Sequence, residues 1–261
     1  MTPDLSGVTV DGVRLEYRWV GPSTADATTV VFLHEGLGSV TQWKDFPDAL
    51  CARTGCRGLV YSRQGYGRSD PFDTLSARFM HHEALDVLPR VLEAFEIRNP
   101  VLFGHSDGGS IALIYAGSAQ MAVTALILEA PHVFVEDVTV ARIAEVRDAY
   151  VSSGLRTRLE RHHGANVDRL FNAWATAWLS DEFRGWNIEA SLPGVACPAL
   201  VIQGADDEYG TRRQVDAIAG GMSGQVTTLT LDDCGHAPHV EQPDKVMDAS
   251  VAFLQEIGIA R

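Results

Sequence analysis

The chain predicts an α/β protein: a mostly parallel central sheet, helices on both faces, and an antiparallel hairpin at its start. Three observations carry this expectation. Short apolar runs recur at Thr29–Leu33, 59–61, 101–103, 125–128 and 199–202, the mark of strands buried on both faces, and Val226–Leu231 continues the strand pattern. Between most of them lie stretches with helical spacing of apolar residues, and that alternation is the pattern of a parallel sheet. The third observation is the stretch Gly104-His105-Ser106-Asp107-Gly108-Gly109, set between an apolar run and a small-residue helix. A G-x-S-x-G in the context strand, turn, helix is the nucleophile-elbow pattern. Gly104 and Gly108 are expected to let strand and helix approach where a Cβ would collide.

Taken in order, residues 8–10 and Val13–Val20 read as two strands joined at Asp11-Gly12, a strong hairpin turn pair. The second strand alternates, with Val13, Leu15, Tyr17 and Trp19 on one face and Arg14, Glu16 and Arg18 on the other. It therefore predicts one wet face. Residues 21–27 form a polar loop. After Thr29–Leu33 a helix is expected near 43–53, and then the strand at 59–61. Phe79, Met80, Ala84, Leu85, Leu88, Leu92 and Phe95 recur at helical spacing.

From about 132 to 193 strand signals vanish. Helices are expected at 137–152, Leu155–His163 and 167–179, with Trp174 and Trp178 one turn apart. This block reads as a helical lid inserted into a core made of 1–131 and 194–261. After the strand at 199–202, helices are expected at 211–220 and 243–257, the second with a packed stripe of Met247, Ser250, Val251, Leu254 and Gly258.

Composition bounds the function. The 261 residues are 46% hydrophobic and 21% charged, an ordinary globular balance. A net charge of −13 argues against nucleic acid or an anionic membrane as partner, since both would be repelled. No apolar run is as long as a membrane span, and Met1 to Leu5 carries no signal-peptide pattern. The cysteines Cys51, Cys56, Cys197 and Cys234 form no C-x-x-C pair, so reduced thiols of a cytoplasmic protein are expected. No H-E-x-x-H or comparable ligand spacing occurs, so neither metal nor cofactor is implied. The expected partner is a small-molecule substrate, and the oligomeric state is left open.

Sites in open parallel sheets form beyond the carboxyl ends of the strands. Ser106, the acids of Gly204-Ala205-Asp206-Asp207-Glu208, and the histidines of Gly235-His236-Ala237-Pro238-His239 follow three apolar runs in the chain order Ser, Asp, His. That order, with Arg63-Gln64-Gly65-Tyr66-Gly67-Arg68-Ser69-Asp70, resembles the α/β-hydrolase superfamily over nearly the whole chain. The last motif resembles the family's R-G-x-G-x-S-D turn with one residue extra.

The resemblance implies an α/β-hydrolase fold and a Ser-His-Asp triad. A serine hydroxyl is a poor nucleophile until a base takes its proton. Ser106 is the expected nucleophile, His236 the base, and Asp207 the acid that orients the imidazole, with Asp206 as fallback. His34 and His105 are expected to orient loops through backbone hydrogen bonds. His81, His82, His162 and His163 read as solvated helix residues.

For an oxyanion hole the candidate donors are the backbone N–H of Asp107 and that of Gly36, or of Leu37 if the alignment slips by one. Glu35 stands where the family usually has glycine. Its carboxylate is expected to face solvent or cap a helix. The alternative is that Glu35, with Asp107, makes the pocket negative. Trp43 and His132 are candidate pocket residues. Trp174 and Trp178 are expected to pack lid onto core, with substrate contact the alternative.

The leading function is hydrolysis of a carboxylic ester or lactone through an acyl-enzyme. One alternative is carbon–carbon bond hydrolysis of a diketone-type substrate, which calls for a lid arginine. The other is a non-catalytic ligand-binding protein on this fold.

Overall fold

The computed structural model describes residues 5–24, 27–118 and 122–260. The N-terminal reading at Met1 to Asp4 and residues 25–26 of the polar loop lie outside them. Eight strands form one sheet: β1 (Ser6–Val10), β2 (Val13–Val20), β3 (Thr29–Leu33), β4 (Arg57–Tyr61), β5 (Val101–His105), β6 (Ala125–Glu129), β7 (Ala199–Gly204) and β8 (Val226–Leu231). Their spatial order is β1-β2-β4-β3-β5-β6-β7-β8. Both pairings of β2 are antiparallel, and the other five are parallel. Asp11 and Gly12 have φ of 48° and 84°, the doubly positive geometry that joins tightly twisted hairpin strands.

Chain order reverses direction around β3, which pairs with both β4 and β5. A crevice opens at such a switch point, beyond the strands' carboxyl ends. The sheet's two faces bury separate apolar clusters. One includes Leu33, Leu102, Leu128 and the helix Asp107–Gly117; the other includes Phe32, Phe103, Ile202 and the helix Pro243–Glu256.

The wet face expected of β2 is wet only at Arg14. Glu16 is 2% exposed and Arg18 7%. The Glu16 carboxylate accepts from the Ser62 hydroxyl at 2.8 Å and from the Arg68 N–H at 3.1 Å. Arg18 donates to Asp48 and to the Lys44 carbonyl, both at 2.7 Å. Residues 44–48 thus hold Arg18, and both buried charges are tolerated because each is hydrogen-bonded; the chain after β4 folds back over Glu16. That segment is the Arg63–Asp70 turn, anchored where Asp70 accepts from the Arg14 N–H at 2.7 Å.

The helix expected from Phe79 to Phe95 is interrupted. Phe79–His82 and Leu88–Ala94 are α-helical, but Glu83–Val87 between them is a π-helical turn. Pro89 has no N–H to return to the carbonyl four residues earlier, so the preceding turn opens.

Between β6 and β7 the chain is wholly helical apart from connecting turns and one isolated bridge, Phe134 to Asn187. Its longer helices are Asp137–Asp148, Leu155–His163 and Val167–Trp178. Val167, Leu170, Phe171, Trp174 and Trp178 form the buried stripe of the last. Among the described residues no helix is long and apolar enough to cross a membrane.

Candidate active site

Ser106 joins β5 to the helix Asp107–Gly117 and takes φ 52°, ψ −117°. A side chain in that region costs on the order of 1–3 kcal/mol, so the surroundings must hold it. They do so at the backbone: the Ser106 N–H donates to the Glu129 carbonyl at 2.8 Å. Glycines clear the space. A Cβ on Gly104 would overlap the Gly108 carbonyl, as strand and helix approach requires. A Cβ on Gly108 would instead strike the Leu33 carbonyl, so this glycine clears β3 rather than β5.

The turn aims Ser106 at His236. The Ser106 hydroxyl donates to His236 Nε2 at 2.9 Å, and His236 Nδ1–H faces both Asp207 oxygens at 2.9 Å. Asp207 is held from behind. Gln203 Nε2 donates to its Oδ2 at 2.6 Å, and the Tyr209 and Gly210 N–H groups reach its Oδ1 at 2.8 and 3.2 Å. Burial pushes the Asp207 carboxyl up, but His236 and the Tyr209 N–H outweigh it and hold the group below its ordinary range. Asp206, the fallback, is exposed beside it.

The expected cavity residues divide. Glu35, Gly36, Leu37, Asp107, His132, Trp174 and Trp178 line a cavity of about 310 Å³ over Ser106 and His236. Trp43 does not. It packs against Phe32, Phe103 and His239 and lines an adjoining chamber instead. Trp174 and Trp178 are 6% and 2% exposed, so they pack and line the cavity at once. The Trp174 indole lies so close over Gly36 that a Cβ there would overlap its Nε1.

His132 stands beside His236, ring centroids 5.8 Å apart. Burial, then the nearby His236 charge, brings it down to about 3, so it is a neutral neighbour. Asp107 is pushed up to about 6 by burial, against the pull of the Arg63 guanidinium 3.9 Å away and with the push of Glu35.

Two histidines do what their motifs suggested. His34 Nδ1–H donates to the Glu35 carbonyl at 2.7 Å while Nε2 accepts from the Arg63 N–H at 3.1 Å. His105 Nε2–H donates to the His236 carbonyl at 2.7 Å. His163 does not, because it is buried rather than solvated. It accepts from the Gly67 N–H through Nδ1 and donates to the Leu37 carbonyl through Nε2, both at 2.9 Å. Its neighbour His162 only bridges to Thr41, so spacing alone could not separate the two.

Sequence reasoning also missed Glu129. It ends β6 fully buried, and its carboxylate accepts from His239 Nδ1–H at 2.6 Å. His105, Glu129 and His239 bring ligand-type atoms within 4.8 Å of one another, the one such grouping among the described residues. Two ligands of one zinc ion sit roughly 3.3 Å apart or more, given bond lengths near 2.0–2.1 Å and a tetrahedral angle. The 2.6 Å contact is therefore a hydrogen bond within an ionic cluster.

Residues 30–249 match the model of the alpha/beta hydrolase family. The chain belongs to that family. It is 27% identical over 258 residues to the serine hydrolase BPHL of Homo sapiens, covering 95% of this chain and 85% of the relative. Two solved structures share the fold. A membrane phospholipase A matches with a TM-score of 0.79 at 20% identity, over 97% of this chain and 86% of the other. The enol-lactonase of Burkholderia xenovorans LB400 matches with a TM-score of 0.74 at 21% identity, over 96% of this chain and all of the other, 100%.

Proposed function

We propose that this hydrolase cleaves a small carboxylic ester or lactone through an acyl-enzyme on Ser106, His236 and Asp207. The observation that carries the proposal is the continuous hydrogen-bond chain from the strained Ser106 through His236 to Asp207. His236 takes the Ser106 proton as the oxygen attacks the carbonyl, and Asp207 stabilises the imidazolium. The proton then goes to the leaving alcohol. Water, deprotonated by His236, attacks the acyl-enzyme and releases the acid.

The Asp107 N–H lies at the start of its helix, where no intrahelical acceptor exists. It is one oxyanion donor, and Gly36 or Leu37 supplies the other. Residues 132–193 act as a lid. Ile143, Leu159, Trp174 and Trp178 give the cavity an apolar roof suited to an acyl or aryl group of moderate size.

The cavity lacks the lid arginine that an anionic diketone calls for. Glu35, Asp107, Glu208 and Glu241 line the cavity, and none of Arg142, Arg147, Arg156, Arg158, Arg161, Arg169 and Arg184 does. Short-chain aryl ester hydrolysis by wild type and Ser106→Ala tests the proposal. The variant is expected to lose nearly all turnover and keep its fold; equal rates would sink it, and would leave a ligand-binding role. Faster turnover of a vinylogous diketone than of any ester would move the reaction to carbon–carbon cleavage.

A further inference from the structure

Glu35 is a buried-side anomaly in a loop proposed to receive negative charge. Its side chain is 25% exposed and turns back over its own loop, where a Cβ on Gly38 would overlap the carboxylate. Gly36 is its direct neighbour, and both line the Ser106 cavity. A bare carboxylate there opposes an oxyanion, because two like charges in a poorly hydrated site repel strongly. Its counter-charge is His105. Glu35 Oε2 lies 3.6 Å from His105 Nδ1, which has no hydrogen-bond partner of its own. His105 is also the residue before Ser106, and its Nε2–H holds the carbonyl of His236.

One imidazole thus touches three loops: the one after β3 through Glu35, the one after β5 through the chain, and the one after β8 through His236. We infer that His105 and Glu35 form an ion pair that neutralises the oxyanion loop and sets it against the His236 loop, making them positioning residues for the reaction. Carboxylates on two sides favour a cation at His105, against the burial of its ring and against Lys44, Arg158 and His162, which line the same chamber, and His132 beside His236. Glu129 faces it from β6, with an Oε1 that lacks a partner. His239 is committed to Glu129, and the His239 and His236 rings lie 5.1 and 5.3 Å from that of His105. Burial alone would discharge His105, but Glu35, Glu129 and the His236 carbonyl raise it to about 9. Glu35 is correspondingly held well below the usual carboxylate range: burial pushes it up, and His105 outweighs that.

The inference rests on the proposed Ser106 reaction, and a rescue experiment separates the two. Glutamine at 105 keeps a donor for the His236 carbonyl but removes the charge, and glutamine at 35 removes the opposing one. In aryl ester hydrolysis at pH 7.5, His105→Gln is expected to lower kcat about 10–100-fold with KM changed less than about threefold. Adding Glu35→Gln to it should restore kcat to within about fivefold of wild type. Wild-type kcat should fall above about pH 9, and the double variant should lack that limb.

Double-variant losses equal to or worse than the product of the single losses would overturn the inference, as would an effect confined to KM. Loss of wild-type turnover on chelation, restored by zinc, would overturn it in favour of a metal at His105, Glu129 and His239. Turnover that survives Ser106→Ala would remove the underlying reaction, and this inference with it.

Discussion

Two histidine clusters meet beneath Ser106, and they handle charge in opposite ways. His236 faces one carboxylate, whose oxygens are also held by Gln203, Tyr209 and Gly210. His105 sits between Glu35 and Glu129, with its Nδ1 and Glu129 Oε1 both unpartnered. The first arrangement fixes an imidazole while leaving Nε2 facing a hydroxyl, which suits a proton that comes and goes. The second surrounds an imidazole with more negative charge than hydrogen bonds, which suits a proton that stays. Burial would discharge His105, and Glu35, Glu129 and the His236 carbonyl together outweigh it.

The largest expected effect breaks the first cluster. Asp207→Asn should lower turnover by ~10³–10⁴-fold, since the amide favours the wrong imidazole tautomer. Asp206→Asn, one residue away and exposed, should stay within about twofold of wild type. Steady-state kinetics on one aryl ester checks both, and the reverse ranking would move the acid by a residue.

The second cluster should show itself in stability. A histidine raised from 6.5 to about 9 adds its full stabilisation below pH 6.5 and loses it as pH climbs through about 9. Denaturant unfolding of wild type and His105→Gln should therefore differ by on the order of 2–3 kcal/mol more at pH 6 than at pH 10. A difference independent of pH would mean that His105 is neutral in the folded protein.

A smaller effect is expected where the helical segment meets the loop after β3. His163→Ala removes two buried hydrogen bonds, to Gly67 and Leu37, and should cost roughly 1–3 kcal/mol. Because Leu37 lines the cavity, KM for the aryl ester should rise as well. Unchanged stability would place His163 in solvent, as its spacing first suggested.

The positions of Ser106, Asp207 and His236 were legible because the local chain encodes them. A strained turn needs small neighbours, so Gly104 and Gly108 announce it, and strand ends are marked by apolar runs. Glu129 carried no such signal. It closes an apolar run like any polar residue at a strand end, and its partner His239 is 110 residues away. The burial of Glu16 and Arg18 escapes the sequence pattern for a related reason. Alternation reports which residues share a face, but residues 44–48 and the Arg63–Asp70 turn decide whether that face is covered. The π-helical turn was foreshadowed only by Pro89.

By itself, the sequence determined the strand and helix alternation, the helical block at 132–193 and the order of the serine, acid and histidine. Those features follow from local sterics and from side-chain periodicity, which act between near neighbours. Only the tertiary structure decided which carboxylates lie beside which histidine and which tryptophans line the cavity. Such choices depend on distances between residues far apart in the chain. Ser106 is a nucleophile candidate set between His236 and the Glu35–His105 pair.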